Sequence, residues 1–171
     1  MIKGENIYLR PILKSDIGYL NDWKNDEETY MFLGGGFMPV SIDQQEKWLD
    51  SLIDATENNK RYIICNHEHT PLGMVGLYGI NWIHRTCEIG MYLGNRDSQG
   101  KGLGTEACNL IEKFAVEYLN LRKINLKVVK SNEKAMNMWK RLGFIKIGEF
   151  NKERFVKGQY YNLILMEKFI Q

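Results

Sequence analysis

Three glycines in five residues, Gly100, Gly102 and Gly104, stand between a strand-like run and a helix-like run. Glycine lets a backbone turn tightly and come close to a ligand. The helix that follows starts with N–H groups lacking internal partners, and its dipole adds positive potential there. The segment Gln99-Gly100-Lys101-Gly102-Leu103-Gly104-Thr105 is therefore suited to hold a phosphate group. A tight strand–helix turn with no ligand is the alternative, and the glycines alone do not decide. Two common phosphate loops fail on the letters. A nucleoside triphosphate loop needs Ser or Thr after Lys101, where Gly102 stands; a dinucleotide loop begun at Gly100 needs glycine at 105, which is Thr105. Glu88, on the strand leading into the loop, is the candidate general base, acting directly or through a water. Its alternative is a carboxylate satisfied by a neighbouring strand or cation.

Other reactive side chains carry less. Cys65, Cys87 and Cys108 form no Cys-x-x-Cys pair and sit in apolar runs, so buried reduced thiols are expected. His67 and His69 flank a glutamate in a polar turn and His84 lies between strands, with no third ligand at useful spacing. Solvated histidines and no metal are expected. Trp23, Tyr30, Phe32 and Phe37 form an aromatic group that either packs as core or holds a cationic amine.

Periodicity supplies the elements that must place these groups. Ile7–Ile12 alternates as a first strand, and Ser15 is expected to cap a helix over Asp16–Lys24. Residues 32–39 read as a loop. Ser41 to Gln44 is a capping box opening a helix with the stripe Trp48, Leu49, Leu52 and Ile53. Residues 61–65 and 72–80 read as a hairpin. Thr86 to Leu93 alternates, with Cys87, Ile89, Met91 and Leu93 on one face and Glu88, Gly90 and Tyr92 on the other. Ala107, Leu110, Ile111, Phe114, Ala115 and Tyr118 mark the helix after the loop. Lys123–Val129 is a strand, Asn132 caps a further helix that Gly143 stops, and residues 144–150 and 161–166 close the chain as strands joined through Lys157-Gly158-Gln159. The order β-α-α-β-β-β-α-β-α-β-β is an α+β (mixed α/β) fold, with a largely antiparallel sheet of six to seven strands flanked by helices.

Composition bounds the function classes. The chain has 171 residues, the size of one domain, so 1–171 is read as a single unit. Its 23 basic and 21 acidic side chains nearly balance and form no basic run, which points away from nucleic acid. No apolar run follows Met1–Glu5 and none approaches the ~20 residues of a membrane span, so neither a signal peptide nor a membrane partner is expected. Reduced cysteines fit a cytoplasmic location. Monomer and homodimer both stay open.

Gln99-x-x-Gly102-x-Gly104 resembles the Gln/Arg-x-x-Gly-x-Gly/Ala signature of the GNAT superfamily of acetyl-CoA-dependent N-acetyltransferases. Residues 88–93 resemble its central strand, and Gly104-Thr105-Glu106-Ala107 the start of its cofactor helix. Asn132-Glu133-Lys134-Ala135 and Arg141-Leu142-Gly143-Phe144 resemble its downstream blocks. Leu9-Arg10-Pro11 and Trp23-Lys24-Asn25-Asp26 resemble the RimJ/RimL-like subgroup, while the later half is similar to spermidine N-acetyltransferases.

That resemblance implies a GNAT-like fold, acetyl-CoA as co-substrate, and transfer of acetyl to a primary amine by direct attack in a ternary complex. The backbone of Tyr92 and Leu93 would bond the pantetheine arm, residues 99–105 the diphosphate, and Asn132, Ala135 and Trp139 the pantetheine end. Glu88 matches the family's strand glutamate. Trp139 stands where relatives often have a tyrosine that protonates the departing thiolate. An indole N–H is not a usable acid, whereas a CoA thiolate, with a thiol pKa of ~8.5, can leave unprotonated. The acceptor side would be Trp23, Tyr30 and Phe37, with Tyr160 and Asn162 as a second wall. A small-molecule amine or a protein N-terminus is expected. A polyamine is the alternative, disfavoured because Asp43 is the only carboxylate in 31–45. A CoA-binding sensor without catalysis is the alternative of another class.

Overall fold

A computed structural model describes residues 1–52 and 57–171. Eight strands form one sheet: β1 (Ile2–Lys3), β2 (Ile7–Pro11), β3 (Lys60–Asn66), β4 (Pro71–Asn81), β5 (Thr86–Leu93), β6 (Lys123–Val129), β7 (Ile145–Val156) and β8 (Gln159–Phe169). Five helices accompany them among the described residues: α1 (Ile17–Lys24), α2 (Glu27–Tyr30), α3 (Ile42–Leu52), α4 (Leu103–Glu117) and α5 (Glu133–Arg141). The sheet order is β1-β2-β3-β4-β5-β6-β8-β7. The α+β expectation holds, with eight strands rather than six or seven. The additions are β1, too short to show a period, and the single-turn α2, whose cap is Asp26 accepting from the Thr29 N–H.

One junction governs the architecture. All neighbours are antiparallel except β5 and β6, which run parallel and pair only from Thr86↔Lys123 to Glu88↔Asn125. Beyond Glu88, β5 stays with β4 as far as Gly73↔Leu93, while β6 stays with β8 as far as Val129↔Leu163. The sheet therefore splits like a V at the C-terminal half of β5. No residue is inserted in β5 to achieve this; its register against β4 is unbroken from Tyr78↔Glu88 to Gly73↔Leu93.

Helix α4 spans the split. Its stripe Ala107, Cys108, Ile111 and Ala115 is fully buried against Cys87, Ile89, Ile124 and Leu126. Burial of an Ile or Leu side chain contributes roughly 1.5–3 kcal/mol. Two carboxylates clamp the helix. Glu106 accepts from the Asn6 backbone N–H at 2.9 Å, and Glu112 takes the Lys168 ammonium at 2.8 Å. The other face of the first half-sheet carries α1 and α3, with Leu20, Trp23 and Leu49 over Tyr8, Ile63 and Cys65. Trp48 and Leu52 of the expected α3 stripe pack there too; Ile53 lies outside the described residues.

The expected cap at Ser15 is not made. Residues Lys14–Asp16 form a 3-10 turn, and α1 starts at Ile17 without a side-chain cap. The Asp16 carboxylate instead takes both Arg10 guanidinium nitrogens, at 2.7 and 2.8 Å, and the Leu13 N–H at 2.8 Å. Asp16 is only 3% exposed. Removing one partner of a buried pair costs about 3 kcal/mol or more. Asp16→Ala is accordingly expected to lower Tm by roughly 6–12 °C for a chain of this size, read by thermal unfolding at pH 7.

The thiols behave as expected. Cys65, Cys87 and Cys108 are free and buried, and burial pushes the Cys87 thiol up to about 12. Thiolate is the reactive form, so these side chains are inert in the folded protein. The histidines depart from expectation in part. His67 Nε2 lies 2.7 Å from the Glu5 carbonyl and His69 Nδ1 2.7 Å from the Tyr8 hydroxyl, so both are tethered rather than simply solvated. Among the described residues no group of three or more His, Cys, Asp or Glu side chains is placed to hold a metal ion. Among the described residues no helix is long and apolar enough to cross a membrane.

Candidate active site

The V opens onto a cavity of about 470 Å³ whose walls come from four places. The end of β5 supplies Met91, Tyr92 and Leu93; the glycine loop and start of α4 supply Gln99, Gly100, Gly102, Leu103, Gly104 and Thr105; α5 supplies Asn132, Ala135, Met138 and Trp139. All the residues expected at the cofactor are here except Lys101, which is exposed outside the wall. Glu28, Thr29, Phe32 and Leu33 complete the cavity on the far side.

The loop has the geometry its glycines suggest. Gly100 and Gly102 have φ of +75° and +76°, in the left-handed region that side-chain-bearing residues avoid. Nothing lies within 4 Å of where a Cβ would stand at either, so the loop face is open. Gly102 is the N-cap of α4 and has no side chain to satisfy the first helical N–H groups. Those donors stay free for an anion. Gln99 acts as a staple, its Nε2 donating to the Leu93 carbonyl at 3.2 Å and closing the loop onto the end of β5.

Ladder phase decides which β5 backbone groups face the gap. Gly94 N–H donates to the Leu72 carbonyl at 2.8 Å, which makes Leu72 and Gly94 a hydrogen-bonded pair. Alternation then directs the polar groups of Tyr92 and Gly90 toward β4, and those of Met91 and Leu93 toward the gap left by β6. The backbone of Met91, rather than that of Tyr92, thus accompanies Leu93 there. Across the gap, Asn132 accepts from the Ala135 N–H at 3.3 Å and so caps α5 as expected. Trp139 is buried and packs edge-on against Phe144 at 5.4 Å, between cavity and core.

Glu88 stands at the apex of the V, on the last residue pair that β5 shares with β6. It does not line the cavity. Beside it is a residue that the sequence reading passed over. Tyr78 is directly opposite Glu88 on β4, and its ring lies along the sheet over Gly76 and Gly90, themselves a cross-strand pair. A Cβ at Gly76 would meet the Tyr78 hydroxyl at 2.6 Å. The two glycines thus form a trough for this phenol. The Arg61 guanidinium sits 5.0 Å from the ring centre, and burial pushes the Tyr78 hydroxyl upward in pKa. The signal was the pair Gly76/Gly90, which only the register makes legible.

The expected acceptor residues separate. Trp23 and Tyr30 both touch Tyr92, with ring centres 5.9 and 5.2 Å away, and the Tyr30 and Tyr92 hydroxyls are 3.2 Å apart. Lys24 lies 4.6 Å over the Tyr30 ring. Phe37 stays in the loop before α3 and does not line the cavity. Tyr160 is 65% exposed at the β7–β8 hairpin tip, packed at a tilt against Phe155, and Asn162 is bound to Glu149. The hairpin does reach α2 and the loop after it through other residues: Arg154 donates to the Gly34 carbonyl at 3.0 Å and Lys157 pairs with Glu27 at 3.0 Å. Carboxylates missed by counting only residues 31–45 gather on α2. Asp26 and Glu28 share Arg96, at 3.1 and 3.4 Å, and Glu28 borders the cavity.

Residues 6–145 match the family model described as an acetyltransferase (GNAT) domain. The chain is 31% identical to a spermidine N(1)-acetyltransferase of Escherichia coli K12, over 97% of this chain and 87% of that one. A putative ribosomal N-acetyltransferase of Bacillus subtilis is 29% identical over 54% of this chain and 50% of its own. Among solved structures, the spermidine N-acetyltransferase of Vibrio cholerae in complex with CoA and spermine superposes with a TM-score of 0.87, at 26% identity, covering 97% of this chain and 96% of that one.

Proposed function

Because the chain belongs to the GNAT acetyltransferase family and is an acetyl-CoA-dependent N-acetyltransferase, we propose that it acetylates a primary amine of a small cationic molecule, a polyamine being the first candidate. The observation that carries this reading is a single cavity with free α4 amides at one end and the Glu28 carboxylate at the other. The α4 amides take the diphosphate of acetyl-CoA. The arm then runs along the gap between β5 and β6, where the Met91 and Leu93 N–H groups face the thioester. An oxygen turning negative in the tetrahedral intermediate is stabilised by such donors.

The amine attacks directly in a ternary complex. A primary ammonium with pKa ~10 must lose a proton first, and Glu88 takes it through a bridging water, since it stands outside the cavity. The carboxylates of α2 supply the attraction for a second amine on the acceptor. Their present partners, Arg96 and Lys157, are exposed, and exposed ion pairs contribute only about 0–1 kcal/mol, so a polycation displaces them readily.

The residues that resemble the RimJ/RimL-like subgroup point instead to a protein N-terminus. Arg10 among them has a structural reason, its buried pairing with Asp16, which removes it as acceptor evidence. We take residues 1–171 as one catalytic domain, acting in the cytoplasm as a monomer or homodimer without nucleic acid or membrane.

CoA release with acetyl-CoA tests the acceptor, using spermidine, spermine, a monoamine of similar length and a short peptide with a free N-terminus. Spermidine or spermine is expected to give the highest kcat/KM, at least tenfold above the monoamine. A peptide preferred over all of them would move the acceptor to a protein N-terminus. Acetyl-CoA binding with no release on any amine would make the chain a CoA sensor.

A further inference from the structure

Acyl transfer has a second proton problem, at sulfur. When the C–S bond breaks, its electron pair moves to sulfur, and a thiolate inside a narrow cavity is costlier than in water. A donor beside the sulfur offsets that cost. Few cavity side chains can serve. The Thr29 hydroxyl is committed to the Asp26 carboxylate at 2.6 Å. Trp139 offers an N–H that does not transfer its proton. Lys134 and Arg141 are exposed on α5. Thr105 stands at the glycine-loop end and Glu28 pairs with Arg96, which leaves Tyr92, on the wall between Met91 and Leu93.

Its surroundings favour that use. Trp23 and Tyr30 hold the ring from two sides, with the edge-on Trp23 contact at 81° between planes. The Tyr30 and Tyr92 hydroxyls are 3.2 Å apart. Two phenols carry two protons and one bridge uses one of them, so the pair always ends in an uncommitted O–H. Burial raises the pKa of both phenols, so both keep their protons at neutral pH.

We infer that the Tyr92 hydroxyl donates to the departing sulfur and gives it the proton, with Tyr30 resupplying Tyr92. This rests on the acetyltransferase reading. The balance is complete: the C–N bond forms, the C–S bond breaks with both electrons going to sulfur, and the Tyr92 proton makes the CoA thiol. The Tyr30 proton then moves to the Tyr92 oxygen, and Tyr30 regains one from solvent.

The test compares the wild type with Tyr92→Phe and Tyr30→Phe, using acetyl-CoA and the fastest amine of the panel above, in H₂O and D₂O. Tyr92→Phe keeps the ring and its packing. It is expected to lower kcat about 100-fold, leave the acetyl-CoA KM within twofold, and abolish the solvent isotope effect on kcat. Tyr30→Phe is expected to cost about tenfold or less, since Tyr92 keeps its own proton. A difluorotyrosine introduced at position 92 retains the hydroxyl at lower pKa, and should move the alkaline fall of kcat to lower pH. The inference is overturned if Tyr92→Phe keeps kcat within twofold, or loses activity through KM with the isotope effect intact. Normal wild-type turnover alongside either result leaves the acetyltransferase reading standing; a wild type silent on every amine overturns both.

Discussion

Gly102→Asp is expected to weaken CoA binding at least 100-fold while leaving the fold in place. Gly102 has φ +76° and ψ 7°, a left-handed conformation that Asp adopts more readily than most side-chain-bearing residues. Nothing lies within 4 Å of the new Cβ, so no clash follows. Asp is also a favoured helix N-cap, which offsets part of the strain. Stability should therefore change by only about 1 kcal/mol. Binding has no such compensation. The carboxylate occupies the α4 N–H groups and places a negative charge against the diphosphate. At ~5 Å and an effective dielectric of ~20, each pair of unit charges repels by about 3 kcal/mol, and every 1.4 kcal/mol is about tenfold in Kd. Gly102→Asn has the same shape without the charge. It should hold CoA within about tenfold of the wild type and so separate charge from shape. Calorimetric titration with CoA reads all three proteins.

Glu88→Gln is expected to lower kcat/KM about 100-fold at pH 7.5, the scale of one general base. The pH profile carries the sharper information. With a base, the enzyme uses an acceptor that arrives protonated. Without one, only the free amine reacts, and its fraction rises tenfold per pH unit up to the amine pKa of ~10. The variant's kcat/KM should therefore climb with unit slope from pH 6 to 9 and approach the wild type at the alkaline end. Glu88 is outside the cavity, so acetyl-CoA affinity should be unchanged. A Glu88→Gln enzyme with wild-type kcat/KM across that range removes the carboxylate from the mechanism.

What the letters disclosed and what they hid have physical reasons. The limits of β5 and β6 were legible to the residue, because clean alternation ends in glycine on one and in a helix cap on the other. The glycine-loop end of the cavity was legible too: it is built from consecutive residues and needs no tertiary knowledge. Ser15 misled because a side chain within the same turn, Asp16, had a stronger partner in Arg10 across the fold. The length of the last hairpin was underestimated. β7 runs on to Val156 through the charged stretch 149–154, which lies on a sheet edge where alternation need not sort polar from apolar.

The side of the cavity formed with α1 and α2 was the least legible part. Tyr92 was read for its strand position and its backbone alone; its phenol faces α1 and α2, which the chain reaches some sixty residues earlier. The Tyr78 trough needs Gly76 and Gly90 to be opposite each other, a fact of register and not of either strand alone. The α2 carboxylates escaped because a four-residue helix leaves no period to find.

A crystal structure of the protein with acetyl-CoA bound tests the central claim most directly. It should show the diphosphate on the backbone N–H groups of residues 100–105 and the thioester in the gap where β5 leaves β6, within hydrogen-bond reach of the Met91 or Leu93 N–H. A cofactor seated elsewhere, such as the groove beside Tyr62, Phe114 and Tyr118 on the outer face of α4, would contradict it.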